Sequence, residues 1–237
     1  MKRICPATVN RELACLKALF NFVIKADLLA KNPVSRVKYL AENNQQTRVL
    51  TYTEQQSYLS NASPVLHDVA TLILETGMRP EEVYTLRPEN VDLLKGHLQV
   101  PQGKTPAARR MLRLTSAASG VLRRRVSGLD GPYCFPCESD PARPIPKVNN
   151  AHDRAVKVSK VAPFRLYDLR HTWATRAAMS GIDLVTLASM LGHSRIQMVL
   201  RYAHPTQDHQ TRAMERLEQF NAMQQIGEFE RQEGRPQ

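Results

Sequence analysis

Residues 166–204 read LYDLRHTWATRAAMSGIDLVTLASMLGHSRIQMVLRYAH, and this stretch decides how the chain is interpreted. Its apolar residues recur at helical intervals, which predicts one helix over 167–180 and a second over 183–191. A short segment that carries His193 and Tyr202 follows the second helix. The stretch thus combines a helical framework with side chains that can bind anions, carry protons or act as nucleophiles.

The N-terminal part of the chain is also predicted to be helical. Apolar residues recur close to every 3.6 residues over 8–30, where Thr8 is a candidate helix cap. The pair Asn32-Pro33 ends this pattern, because the residue before a proline disfavours helical geometry. The polar run AENNQQT at 41–47 predicts a linker.

A second, larger unit is predicted from Leu50 onward. Thr53 and Glu54 mark a helix start, and the strongly apolar run at 65–77 predicts a helix that ends at Gly77. Two further helices are predicted at 115–127 and 149–160.

A different pattern separates these helices. HLQVPQ at 97–102 and RRMLRLT at 109–115 are short β-like runs on either side of GKTPAA, which predicts a hairpin. Proline and glycine cluster at 128–146, which predicts a loop-rich connection. The predicted fold class is therefore mainly α with a small antiparallel β-sheet (α+β).

The charge balance favours a polyanionic partner. Thirty-three Lys and Arg against 22 Asp and Glu give a net charge of +11, and the pI is near 9.8. Each cation set on a phosphate releases condensed counterions, so nucleic acid is the preferred partner. A merely basic protein, or one that binds an acidic membrane surface, is the alternative. No apolar run is long enough to span a bilayer, so we expect a cytoplasmic protein.

The four cysteines favour reduced thiols. Cys134 and Cys137 form a CxxC, while Cys5 and Cys15 lie far away in the sequence. A structural zinc site needs four ligands, and no second CxxC or HxxxH pair accompanies this one. Zinc binding is the less favoured alternative.

Four segments carry residues suited to phosphoryl transfer: TGMRPEEV at 76–83, GKT at 103–105, LYDLRHTWA at 166–174 and LGHSRIQMVLRYAH at 191–204. Arginine forks bind the nonbridging oxygens of a phosphate in its transition state. A tyrosine can act as nucleophile when nearby cations and hydrogen-bond donors assist it, and a lysine can protonate the leaving oxygen. GKT is not part of a nucleotide-binding P-loop, since that motif needs glycine where Leu98 stands.

The order of these segments resembles the tyrosine recombinase (phage integrase) family over most of residues 50–205. The residues that match the family's catalytic positions are Arg79, Lys104, Arg170, His193 and Tyr202. Glu82 matches the acidic residue that supports the site. Tyr167 stands where the family often has histidine; its hydroxyl can bond a phosphate oxygen, but it cannot titrate near neutral pH. The identity of the general base stays open.

Each of these residues also has a structural interpretation. Arg79 can be a surface arginine paired with Glu82, and Lys104 can be an ordinary basic residue at a hairpin tip. His171 and Trp173, which flank the second arginine, are predicted to be structural, with Trp173 in the core. The functional interpretation is preferred because all the structural ones would have to hold at once.

The resemblance implies a DNA breaking-rejoining catalytic-domain fold and a site-specific recombinase. Tyr202 would attack the scissile phosphate, form a 3′-phosphotyrosyl link and release a 5′-hydroxyl. It implies neither cofactor nor metal, since positive side chains take the place of metal ions. The implied partners are double-stranded DNA, three further copies in a homotetramer on two DNA sites, and accessory DNA-bending proteins. The implied location is the nucleoid of a bacterial host.

The predicted domains are a C-terminal part of a helical core DNA-binding domain (1–40), a linker (41–49), the catalytic domain (50–210) and a helical tail (211–237). The tail either packs on a neighbouring subunit or folds back on its own domain. Because the earlier helices of the core-binding domain are missing, a truncated, non-catalytic DNA-binding remnant is an alternative. A topoisomerase-like activity, with the same chemistry and rejoining of the original strand, is another.

Overall fold

A computed structural model describes residues 4–42, 48–101, 109–129, 131–202, 210–211 and 213–223. The chain divides into two compact units, residues 1–46 and residues 47–237. Among the residues described, none of the helices combines the length and apolar character needed to span a bilayer.

The first unit contains one long helix, α1 (Pro6–Lys25). It begins earlier than the predicted 8–30 because Pro6, which lacks an N–H donor, suits the first helical position. It ends at Lys25, and Asp27 then adopts a left-handed φ of 55°. The following segment returns along the helix, where Asn10 donates to the carbonyl of Leu40 at 2.8 Å.

The second unit is mainly helical. Its helices are α2 (Tyr52–Ser60), α3 (Pro64–Thr76), α4 (Pro80–Tyr84), α5 (Ser116–Val126), α6 (Asn149–Ser159), α7 (Asp168–Met179) and α8 (Leu184–Leu191). Short 3₁₀ turns occur at Pro88–Asn90, Ile196–Met198 and Leu200–Tyr202. The start of α2 lies slightly before the predicted one, since Thr51 and Glu54 form the capping box.

Three short strands form an antiparallel sheet. They are β1 (Val91–Asp92), β2 (His97–Val100) and β3 (Arg110–Arg113), in the order β1-β2-β3. In the register of β2 and β3, Leu98 lies opposite Leu112. The predicted fold class, mainly α with a small antiparallel sheet, is confirmed. Lys104 lies between β2 and β3, outside the described residues.

A second, two-stranded sheet lies in the region predicted to be only loop. It pairs β4 (Pro136–Cys137) with β5 (Asp140–Pro144). The fully buried Phe135 anchors this hairpin in the core, and its carbonyl accepts the N–H of Ile145 at 2.8 Å. Strands this short carry no readable alternation, so the sequence pattern did not indicate them.

The core of the second unit is built around α3. Leu66, Val69 and Ile73 on this helix are fully buried, and the helix packs against α5 and α7. Leu169 of α7 lies in the same core. The next residues of α7, Arg170 and His171, are buried although polar, which places two functional groups at the edge of the core.

Residues 213–223 of the tail are helical. Arg216 donates to the carbonyl of Gly181, at the turn between α7 and α8, over 3.4 Å. The large apolar side chains on this segment are exposed; they are Met214, Leu217, Phe220 and Met223.

Candidate active site

A glycine turn positions the first arginine of the site. Gly77 ends α3 with φ = 66°, a left-handed conformation that favours glycine. The ring of Trp173 lies against it, so that a Cβ at Gly77 would be 2.3 Å from the Trp173 ring. Trp173, predicted to lie in the core, is only partly buried, and its ring covers this turn. Two residues further on, Arg79 caps α4, with Pro80 at the first helical position.

Glu82 is the centre of a cluster of guanidinium groups. It accepts the backbone N–H and the Nη1 of Arg79, both at 2.8 Å. Arg110 binds both of its oxygens, at 3.0 and 2.8 Å, and Arg170 lies 4.0 Å away. Burial opposes ionisation of this carboxyl, but the hydrogen bonds from Arg110 and Arg79 lower its pKa below the usual value of 4.5.

Arg110 was not identified by the sequence analysis. Its side chain is only 3% exposed, and its Nε donates to the carbonyl of Met190 at 2.6 Å. It therefore joins strand β3 directly both to helix α8 and to Glu82 of α4. The alternation of the predicted strand could have indicated its burial, because Arg110 and Leu112 are two residues apart and lie on the same, buried face of β3.

Arg170 is anchored from two sides. Its Nη1 donates to the carbonyl of Gly77 at 2.7 Å, and its Nη2 donates to the carbonyl of Leu191 at 2.6 Å. Burial lowers its pKa to about 10, so the guanidinium remains charged at neutral pH. Three guanidinium groups face the one carboxylate of Glu82, which leaves the cluster with a positive excess.

His193 lies beside this cluster as a neutral imidazole. It follows Gly192, which ends α8 with φ = 65°. Its Nε2 lies 3.1 Å from Nη2 of Arg170, so Nε2 accepts and the proton is on Nδ1. Burial, together with Arg170 and Arg79, lowers the pKa of His193 to about 4. Its Nδ1 is buried and has no partner among the described residues.

Tyr202 is buried and hydrogen-bonded to a histidine. It lies in the turn Leu200–Tyr202 and is 3% exposed. Its hydroxyl is 2.6 Å from Nδ1 of His171, and burial raises the pKa of the phenol. The ring of Tyr167 contacts the His171 ring edge-on, with 5.1 Å between centroids. The guanidinium of Arg170 lies 6.0 Å from the centroid of the Tyr167 ring.

The structure brings most of the predicted site residues into one region. Arg79, Glu82, Arg170 and His193 form one continuous network. Through α7 this network adjoins a row of three rings, which are those of Tyr167, His171 and Tyr202. The prediction for Lys104 falls outside the described residues. His171, which the sequence analysis treated as structural, contacts the predicted nucleophile directly.

This arrangement suits an anion that arrives from solvent. The side chain of Arg79 is 29% exposed, whereas that of Arg170 is 1% exposed and that of Arg110 is 3% exposed. Arg79 can therefore meet an incoming oxyanion, while the buried cations supply a fixed positive field behind it. The buried hydroxyl of Tyr202, the predicted nucleophile, lies in the turn Leu200–Tyr202 that follows α8.

Comparison with known proteins identifies the family of the chain. A sequence model of the phage integrase family matches residues 40–209. The integrase of Escherichia phage P2 is 29% identical over 203 residues, which are 85% of this chain and 56% of that protein. The chain spans about half the length of the curated relatives it matches.

Two solved structures share the fold. The Tn1549 transposon integrase, solved with circular intermediate DNA, has a TM-score of 0.75 at 24% identity; the alignment covers 90% of this chain and 81% of that chain. Lambda integrase, solved as a dimer bound to a COC′ core site, has a TM-score of 0.69 at 20% identity, with 83% and 73% covered. The family match extends over more than half of the sequence, and the chain therefore belongs to the phage integrase family.

Proposed function

We propose that this chain cleaves and rejoins DNA strands as a tyrosine-type site-specific recombinase. The observation that carries the proposal is the guanidinium cluster around Glu82, with the buried hydroxyl of Tyr202 close by on the same framework. Tyr202 attacks the scissile phosphorus and forms a 3′-phosphotyrosyl link. The bond to the 5′-oxygen breaks, and a 5′-hydroxyl from a partner strand later reverses this step.

The cations stabilise the charge that develops on phosphate. Arg79 donates to the nonbridging oxygens, and the buried Arg170 supplies positive charge behind it. The Nδ1–H of His193 is a further donor without a partner among the described residues. Glu82 and Arg110 hold the two arginines in place. The hydroxyl of Tyr167 serves as another hydrogen-bond donor to phosphate. Lys104 protonates the leaving 5′-oxygen.

The partner is double-stranded DNA. The net charge of +11 favours it, and two relatives of the same fold, the Tn1549 and lambda integrases, were solved with DNA. Strand exchange requires two duplexes, so we expect a homotetramer assisted by DNA-bending proteins in the bacterial nucleoid. The exposed apolar side chains on 213–223 support docking of the tail on a neighbouring subunit.

Covalent trapping tests the chemistry. The protein is incubated in EDTA with nicked suicide duplexes drawn from the DNA that flanks its own gene, and adducts are separated on a denaturing gel. Wild-type protein should give a slow band, and Tyr202→Phe should give none. Tyr58→Phe is the matched control, since Tyr58 is also buried and bonded to a histidine, His152, at 2.8 Å.

The two tyrosine variants make the result specific. An adduct that persists in Tyr58→Phe and disappears in Tyr202→Phe assigns the nucleophile. An adduct that survives in Tyr202→Phe would refute the assignment of Tyr202. Intact DNA binding with no adduct from wild-type protein would refute the enzyme and favour a DNA-binding remnant.

A further inference from the structure

His171 and Tyr202 form a short, buried hydrogen bond at the reacting oxygen. The Nδ1 of His171 lies 2.6 Å from the hydroxyl of Tyr202, and the two residues are 6% and 3% exposed. The two rings are tilted by 44° with their centroids 5.8 Å apart, so they are not stacked face to face.

The chemistry of Tyr202 needs a base. Burial raises the pKa of this phenol above its usual value of 10, so little phenolate exists at neutral pH. The phenol must therefore lose its proton while the bond to phosphorus forms. Tyr167 is a poor candidate for this function, because a neutral phenol lacks a basic nitrogen such as that of imidazole.

The other titratable groups of the described site are already engaged. The Nε2 of His193 accepts from Arg170, and its proton is on Nδ1, so this imidazole is a donor. The carboxylate of Glu82 is held by Arg79 and Arg110, which lower its pKa and make it a poor base. Among the described residues, the atom in contact with the Tyr202 hydroxyl that can take its proton is Nδ1 of His171.

The surroundings of His171 keep it neutral and able to accept. Burial lowers the pKa of His171 below its usual value of 6.5. Asp168 opposes this shift, and Arg201, Arg165 and Arg170 add to it. Among the described residues, the other titratable groups that face the ring are the phenols of Tyr167 and Tyr202. At neutral pH the imidazole is therefore unprotonated, as a general base must be.

We propose that His171 is the general base that activates Tyr202, an inference that rests on the proposed function. As the phenolic oxygen bonds to phosphorus, its proton moves to Nδ1 of His171, and the bond from phosphorus to the 5′-oxygen breaks. On religation an incoming 5′-hydroxyl attacks the phosphotyrosine and passes its proton to Lys104, which the proposed function assigns as the acid that protonated the departing 5′-oxygen. Tyr202 then leaves as its oxygen regains the proton from the His171 imidazolium.

Two substitutions separate proton transfer from positioning. His171→Asn keeps an acceptor oxygen near the position of Nδ1 but cannot take a proton, whereas His171→Ala removes both. His152→Asn is the matched control, because His152 is also buried and its Nδ1 bonds Tyr58 away from the site. Thermal unfolding and affinity for duplex DNA are measured for all three variants. The rate of adduct formation is then measured on the suicide duplex across pH.

A general-base role for His171 predicts a specific pattern in the rates of adduct formation. Both His171 variants form adduct at least about 100-fold more slowly at neutral pH, while His152→Asn keeps the wild-type rate. The wild-type rate levels off above the pKa of His171. The rate of His171→Asn instead keeps rising about tenfold per pH unit toward the pKa of Tyr202, since only phenolate attacks.

A sulfur substrate identifies which proton is involved. A duplex with sulfur in place of the scissile 5′-oxygen has a leaving group that needs no proton. His171→Asn should stay slow on this substrate, because the nucleophile still has to lose its proton. Recovery of the wild-type rate on sulfur would instead make His171 the acid and overturn the proposal.

Further outcomes would also overturn the inference. A wild-type rate and pH profile in His171→Asn would reduce His171 to a positioning residue. Faster adduct formation in either variant would mean that the hydrogen bond to His171 holds Tyr202 in an unreactive position. In both cases a Tyr202-dependent adduct in wild-type protein leaves the proposed function standing. The absence of any wild-type adduct would refute the function itself.

Discussion

The carboxylate of Glu82 and the guanidinium of Arg110 form a doubly bonded ion pair beneath the site, with oxygen–nitrogen distances of 3.0 and 2.8 Å. The side chains are 10% and 3% exposed. Two charges this deeply buried depend on each other, because an unpaired charge in the interior is costly. Since Glu82 also holds Arg79, the pair connects the stability of the fold to the geometry of the anion site.

Replacing one partner of this pair should destabilise the fold more, per charge lost, than replacing both. We expect Arg110→Met or Glu82→Gln alone to lower the free energy of unfolding by about 3–5 kcal/mol. The double variant should lose clearly less than the sum, because Arg110 is not left facing a neutral Glu82→Gln side chain, whereas the loss of the Glu82 bonds to Arg79 is counted only once. Urea denaturation of the four proteins measures the coupling. Lys95→Ala is the control: it breaks an exposed pair with Asp92 at 3.8 Å and should cost less than about 1 kcal/mol. Additive losses would contradict a coupled pair.

Gly77 should tolerate a side chain far less well than Gly96, a glycine with the same backbone conformation. Gly77 and Gly96 both have φ = 66°, but a Cβ at Gly96 meets nothing within 4 Å. Gly96→Ala should cost about 1–2 kcal/mol, the penalty of the left-handed conformation. Gly77→Ala should cost a further 1–3 kcal/mol, roughly, because Trp173 must move. It should also slow adduct formation, since the Gly77 carbonyl anchors Arg170. Equal costs in urea denaturation would argue against the contact with Trp173.

The sequence was most informative where structure is local. The apolar period of residues 65–77 and the glycine at its end predict α3 closely, since both depend on residues within one helix. The end of α1 was misjudged, because the apolar pattern continues past Lys25 although Asp27 turns the chain. Strands β4 and β5 were missed, since they are too short to show alternation.

In the candidate site, too, the residues in local motifs could be predicted, and the contacts between distant segments could not. Arg79, Arg170, His193 and Tyr202 were identified from motifs, whereas the contacts of Arg110 and His171 were not. Arg110 bonds Glu82, 28 residues away, and His171 bonds Tyr202, 31 residues away. Such contacts depend on how β3, α4 and α7 pack, and no local pattern encodes that packing.

His193 should make the protein less stable as the pH falls below neutral. Its folded pKa is about 4, against 6.5 for a free histidine, so between these values the unfolded chain binds a proton that the folded one does not. The stability is therefore fully present above pH 6.5 and declines as the pH falls toward 4. The contribution is on the order of 2–3 kcal/mol. Urea denaturation is carried out at a series of pH values from neutral to acid. The free energy of unfolding should fall less steeply with decreasing pH for His193→Gln than for wild type. Equal slopes would mean that His193 is not held neutral.

In the protein without DNA, Tyr202 should lose its phenolic proton only at high pH. Burial raises its folded pKa above the unfolded value of 10, so the neutral phenol stabilises the folded state below pH 10. This stabilisation is lost as the pH rises through the folded pKa. The ultraviolet absorbance of phenolate, taken as wild type minus Tyr202→Phe, should therefore appear only above pH 10. In His171→Asn the signal should remain there, since burial is the main cause of the shift. A phenolate signal near neutral pH would mean that the nucleophile is already ionised and needs no base, and it would remove the reason for proton transfer to His171.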